Sequence, residues 1–166
     1  GGGVSGTTAA VRSARLGAKT LIVEQGPWLG GMLTSAGVSA TDGNYRLRGG
    51  MWGELRDSLE AHYGSAQALK TGWVSNILFE PHVGTRIFRN IAEGEEHLSV
   101  MFNTDYTSIK RTSKGWRILL AGEQGHQRVE CKGLIDATEL GDVAAELGVA
   151  YDKGMESRHL TGEDIA

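Results

Sequence analysis

The sequence predicts an α/β fold built on a parallel sheet, with a three-stranded antiparallel meander as one of its crossovers. Three observations carry that prediction. A glycine-rich opening runs into a helical stretch and then a compact apolar strand at Thr20 to Val23. Two segments with helical spacing lead to a second apolar run at 98–102. Three short strand patterns with tight turns then precede a further apolar run at 133–138. Strands separated by helical patterns indicate parallel pairing, whereas closely spaced strands with Gly-containing turns indicate a meander.

Composition narrows the class. The chain has 166 residues, close to one domain by the prior of about 150 residues. Glycine is the outlier, at 25 residues against a usual share of about 7 %. Proline is scarce at two, so the glycines point to backbone set tightly against something and not to a loose linker. The formal net charge of −3 mixes both signs and lacks the basic footprint of a nucleic-acid partner. No stretch approaches the roughly 18 apolar residues that span a bilayer. Cys131 is the single cysteine, which excludes an internal disulfide and a cysteine zinc cluster.

The opening reads Gly1-Gly2-Gly3-Val4-Ser5-Gly6, without an initiating methionine, and the end at Ala166 carries no stop signature. The sequence is therefore expected to be a piece of a longer chain, cut at both ends, with its first strand missing and no substrate domain. Gly1-x-Gly3-x-x-Gly6 matches the dinucleotide fingerprint. A helix is expected over 7–16 with Gly17 as its stop, then the strand ending at Glu24, which lies 18 residues after Gly6. An acid about 20 residues beyond the glycines is where ribose hydroxyls are accepted, and the glycines let a pyrophosphate reach the helix N-terminus. Gly6, Ala10, Ala14 and Gly17 share one face of that helix at about 100° per residue, a smooth stripe for close packing on a sheet.

Trp52, Leu55, Leu59 and Tyr63 recur at helical spacing, with Gly64 as a stop. Pro81 opens a second helix with Val83, Ile87 and Ile91 as its apolar stripe. Both stripes read as core. Residues 65–79 read as a surface excursion, with an active-site cover as the alternative. Strands are expected at about 105–111, 116–121 and 126–132, then a buried strand at 133–138 and a helix at about 139–147 stopped by Gly148. Cys131 reads as buried packing. Glu139 and Asp142 read as first-turn acids that favour the positive end of the helix dipole. His62, His82, His97, His126 and His159 are scattered and form no metal site or catalytic triad, and no catalytic residue is legible.

With these motifs in place, the chain resembles the FAD-dependent oxidoreductases of the glutathione-reductase-like flavoprotein superfamily. The resemblance rests on Glu24 followed by Gly30-Gly31-Met32-Leu33-Thr34, on Ala40-Thr41-Asp42-Gly43, and on a meander ending in Ile135-Asp136-Ala137-Thr138. It covers about residues 1–158, running on through Gly141-Asp142 to Tyr151 and Arg158. It implies a Rossmann-like FAD/NAD(P)-binding domain over residues 1–166, with FAD as cofactor and a small-molecule substrate. The cofactor-binding set it implies is Gly1, Gly3, Val4, Ser5, Gly6, Glu24, Gln25, Gly30, Gly31, Met32, Thr34, Tyr106, Ala137 and Thr138. In this set Gly30 and Gly31 pass beside the pyrophosphate and ribitol, and the Tyr106 backbone meets adenine. The chain departs from the family pattern at Glu139, which stands where a glycine is common. The alternatives are an NAD-binding dehydrogenase domain, a dinucleotide-binding module without turnover, and a piece that binds nothing. The absence of a second cysteine disfavours dithiol chemistry.

Overall fold

A computed structural model describes residues 1–43, 45–73 and 75–164. Helix α1 spans Val4–Arg15, followed by β1 (Thr20–Val23), α2 (Gly50–Tyr63), α3 (Pro81–Glu93) and β2 (Leu98–Met101). Next come β3 (Thr104–Thr112), β4 (Gly115–Gly122) and β5 (Gly125–Cys131), and then the short helices α4 (Asp142–Glu146) and α5 (Arg158–Thr161). β1 and β2 pair in parallel with Thr20 opposite Leu98 and Val23 opposite Met101. The two-helix connection between them supplies the crossover that parallel pairing requires. β3, β4 and β5 form the expected antiparallel meander, with a register shift between Tyr106 and Ser108.

Helix α1 starts three residues earlier than the sequence predicts. Gly3 is its N-cap, and the Gly3 carbonyl already accepts the first helical bond from Thr7 N–H at 2.8 Å. Its buried face comprises Gly6, Thr7, Ala10, Val11 and Ala14, which takes in the small-residue stripe apart from Gly17 and adds Thr7 and Val11. The stripe lets α1 lie close against β1. Helices α2 and α3 close the core from the other direction, with Leu55, Leu59, Val83, Ile87 and Phe88 buried around Ile22 and Leu29. Each such side chain, once fully buried, contributes about 1.5–3 kcal/mol. Arg15 joins α1 to α2 and to the turn after α3 at the rim, donating to Glu54 at 2.6 and 2.8 Å and to Glu95 at 2.7 Å.

Four expectations are corrected. Residues 65–79 are not a surface excursion, because Leu69, Ser75, Ile77 and Phe79 are buried and tie the segment into the core. Residues 133–138 do not form a strand, because no described segment offers them a ladder; the run is half-exposed, with Ile135 on the surface. The helix after it is shorter than 139–147, so Glu139 precedes the first turn and only Asp142 stands in it. Cys131 is half-buried at the end of β5, and that burial pushes its thiol pKa up. No helix among the described residues is long and apolar enough to cross a membrane.

Candidate functional site

The site is the junction of three backbone segments: residues 1–6 leading into α1, residues 24–34 after β1, and residues 136–138. Gly2 anchors the first segment. Its N–H donates to Glu24 Oε2 at 2.5 Å, and its carbonyl accepts from Gly30 N–H at 2.8 Å and from the Thr7 hydroxyl at 2.9 Å. Glu24 Oε1 in turn accepts from Gly26 N–H at 2.9 Å. Gly3 pairs with Gly30 in an isolated parallel bridge. The opening loop and the Gly30–Gly31 loop are therefore one hydrogen-bonded unit, clamped by the carboxylate at the end of β1.

The glycines of this unit divide by physical role. Gly30 has φ 105°, a left-handed conformation that side chains other than glycine resist, and a Cβ there would lie 2.7 Å from the Phe88 ring. A Cβ on Gly6 would fall 2.0 Å from the Gly1 carbonyl oxygen and 2.9 Å from Ala137 Cβ. One on Gly1 would fall 2.6 Å from the Ala137 carbonyl oxygen. These residues are glycine because protein packs against them. Gly3 is different. Its φ of −59° and ψ of 177° suit any residue, and nothing lies within 4 Å of where its Cβ would stand. Neither conformation nor packing explains that glycine.

Gly3 also sits at the N-terminus of the twelve-residue helix α1, where among the described residues no side chain caps the free amides and no acid lies in the first turn. The first-turn N–H groups of a helix carry partial positive charge and lack intrahelical acceptors. An uncapped helix start beside an open glycine forms a backbone cradle for a phosphate group. The residues present therefore fit a dinucleotide pyrophosphate.

The remaining predicted residues arrange around this cradle unevenly. Val4 is half-buried and Ser5 exposed on the first turn. Gln25 follows Glu24 and donates from Nε2 to Asp105 Oδ2 at 2.9 Å, while Thr104 N–H donates to the Glu24 carbonyl at 3.0 Å. These bonds bring the start of β3, and Tyr106 with it, beside the end of β1. Burial raises the Tyr106 phenol pKa, with a further push from Glu146 of α4. Gly31 lies against Gly3, a Cβ on it falling 3.0 Å from Gly3 Cα. Met32 is 55 % exposed next to the cradle. Thr34 is turned inward: it is buried and its hydroxyl donates to the Leu29 carbonyl at 2.7 Å, which leaves that side chain with a packing role.

Ala137 reaches the cradle through its backbone, and Thr138 is fixed by Asp136. Asp136 Oδ1 accepts from Thr138 N–H at 2.8 Å and from its hydroxyl at 2.7 Å, and Oδ2 accepts from Ala144 N–H at 2.8 Å. Burial pushes this carboxyl up, but those donors outweigh it and hold its pKa below the ordinary value. Asp136 thus caps α4 from a distance and sets the 136–138 turn against Gly1. Sequence reasoning missed this role, and it missed Thr7. The signal for Thr7 was available, since a small hydroxyl residue four positions after the N-cap can return to the opening loop. Tyr151 is exposed, and Arg158 pairs with Asp164 at 3.0 Å in α5.

Among the described residues no group of three or more His, Cys, Asp or Glu side chains is placed to hold a metal ion. No curated protein matches the chain. The model of one protein family, FAD dependent oxidoreductase, matches residues 1–166. With the family match covering its whole length, the chain belongs to the FAD-dependent oxidoreductase family.

Proposed function

We propose that residues 1–166 are the FAD-binding portion of a flavoprotein oxidoreductase that acts on a small-molecule substrate. Open space at Gly3, beside the uncapped start of α1, is the observation that carries the reading. In this proposal the amides of Val4, Ser5 and Gly6 hold the pyrophosphate, with Gly1 and Gly3 giving the backbone room. Glu24 keeps its two backbone donors and uses its remaining lone pairs for the adenosine ribose hydroxyls, with Gln25 beside it. Gly30, Gly31 and Met32 border the pyrophosphate and ribitol, and Thr34 holds that loop in shape from within. The Tyr106 backbone faces adenine, and Ala137 and Thr138 close the far side of the cradle.

When bound, the flavin supplies hydride and electron transfer, while the protein supplies position, electrostatics and exclusion of water. The match to flavin enzymes favours FAD over the NAD-binding alternative. A glutathione-reductase-like placement of the cofactor accords with the order of βαβ unit, meander and returning segment. Calorimetric titration with FAD and with NAD in separate runs tests the reading. Saturable binding of FAD alone is expected; binding of NAD alone would replace FAD with the dehydrogenase reading.

A further inference from the structure

A second polar site lies away from the cradle, between α2 and the segments on either side of it. A cavity of about 270 Å³ is lined by Tyr45, Arg46, Arg48, Arg56, Glu60 and Lys70, among others. That volume is room for about nine waters at about 30 Å³ each, or for a small metabolite. Arg48, Arg56 and Lys70 line it with the carboxylate of Glu60, which pairs with Arg56 at 3.0 Å and Arg48 at 3.6 Å; with Arg48 also paired with Asp57 at 3.3 Å, three cations face two carboxylates and a positive surplus remains. The surplus already acts on Tyr45. Its phenol pKa is lowered, first by a hydrogen bond with Arg46 and further by the charges of Lys70 and Arg56.

Arg56 is the unusual member. It is 5 % exposed, in a helix position flanked by the core residues Leu55 and Leu59. Its guanidinium donates to the Tyr45 and Leu47 carbonyls and to Glu60 Oε1 at 3.0 Å, which pins the 45–48 segment onto α2. Among the described residues nothing accepts from its buried Nε–H. An unmet buried donor is costly, and on an arginine it is one edge of a fork shaped for a carboxylate or phosphate. A merely structural clamp needs the two terminal nitrogens and leaves that edge unexplained.

We propose that this cavity binds a small oxyanion, a carboxylate or phosphate group on a metabolite of about nine heavy atoms, through Arg56 with Arg48 and Lys70 at its mouth. Seating an oxyanion there offsets the cation surplus and brings an acceptor toward the buried Nε edge. Glu60 sets the limit on charge: it keeps Arg56 neutralised when the cavity is vacant, so the site favours a ligand with a compact anionic end.

The test is two-dimensional proton–nitrogen NMR on the 166-residue chain, with the arginine Nε–H resonances included. Succinate and inorganic phosphate are titrated separately at constant ionic strength, with chloride as the control. Saturable shifts of the Arg56 Nε–H, of the 45–48 amides and of Lys70 are expected with one or both probes. Response to succinate alone assigns a carboxylate, and response to phosphate alone assigns a phosphoryl group. Arg56→Gln removes a core clamp and risks the fold, so the informative variants are Lys70→Gln and Arg48→Gln at the exposed mouth. Each is expected to weaken binding about threefold, the size of an exposed charge contact. No saturable shift with either probe, or unchanged affinity in both variants, would overturn the proposal. The readout needs no flavin, so its failure is separate from failure of the FAD reading.

Discussion

Replacing Gly3 by Ala separates the ligand role of this glycine from a folding role. The methyl group meets no protein atom within 4 Å, and φ of −59° with ψ of 177° accommodates alanine without strain. Folding stability is therefore expected to hold or rise by about 0.4–1 kcal/mol, because alanine restricts the unfolded chain. Binding is expected to move the other way. The methyl group fills the space from which a pyrophosphate would reach the first-turn amides. Losing even one charge-assisted bond costs about 1.5–3 kcal/mol, which is tenfold or more in affinity. Gly6→Ala is the counterpart, since its Cβ would overlap the Gly1 carbonyl oxygen at 2.0 Å and destabilise folding by about 1–3 kcal/mol. Urea denaturation followed by circular dichroism reads the first quantity, and flavin fluorescence titration reads the second. A Gly3→Ala chain that binds FAD as tightly as the parent would refute the reasoning, as would one that unfolds like Gly6→Ala.

Three further outcomes follow from the same geometry. Glu24→Ala removes the acceptor for Gly2 and Gly26, so a loss of about 2–3 kcal/mol is expected in urea denaturation, together with weaker FAD binding. Asp136→Ala removes the remote cap of α4 and is expected to cost about 1 kcal/mol at neutral pH. Because the folded Asp136 pKa is lowered, its contribution is present above the ordinary unfolded value of about 3.9 and is lost as pH falls through the lower folded value. Urea midpoints from neutral pH down to about pH 3 should thus fall less steeply in the variant than in the parent. Arg15→Ala breaks the link among α1, Glu54 and Glu95, with an expected loss of about 1 kcal/mol at low salt. That loss should shrink in about 1 M salt, where the screening length is about 3 Å, and a salt-independent loss would point to packing instead.

The parts legible in the sequence are those where a local rule and the tertiary structure agree. Gly64 at a left-handed C-cap, Pro81 in the first turn of α3 and the strand Thr20–Val23 are set by backbone chemistry that neighbours reinforce. The meander was legible because its turns are short and its pairing is between consecutive segments. Residues 133–138 were misjudged because an apolar run states a preference, while a strand needs a partner ladder that composition does not reveal. The start of α1 was placed late because Val4, Ser5 and Gly6 are weak helix formers, and it is Gly3, the buried Thr7 and the Gly2 carbonyl that fix it. The anchoring role of Glu24 was half-visible: the spacing marked a carboxylate facing the glycine loop but not its bonds to Gly2 and Gly26. Arg56 was hidden because a charged residue beside Leu55 reads as solvated, although the run Arg46-Leu47-Arg48 nearby and Glu60 four residues on were signals of a polar cluster.

The central claim is that the amides at the start of α1 receive a dinucleotide pyrophosphate. Backbone NMR of the chain during titration with FAD, and in parallel with riboflavin, addresses it most directly. The account predicts saturable shifts of the Val4, Ser5 and Gly6 amides with FAD and none with riboflavin, which lacks the pyrophosphate. Equal shifts with both ligands, or FAD binding that leaves these three amides unmoved, would contradict it.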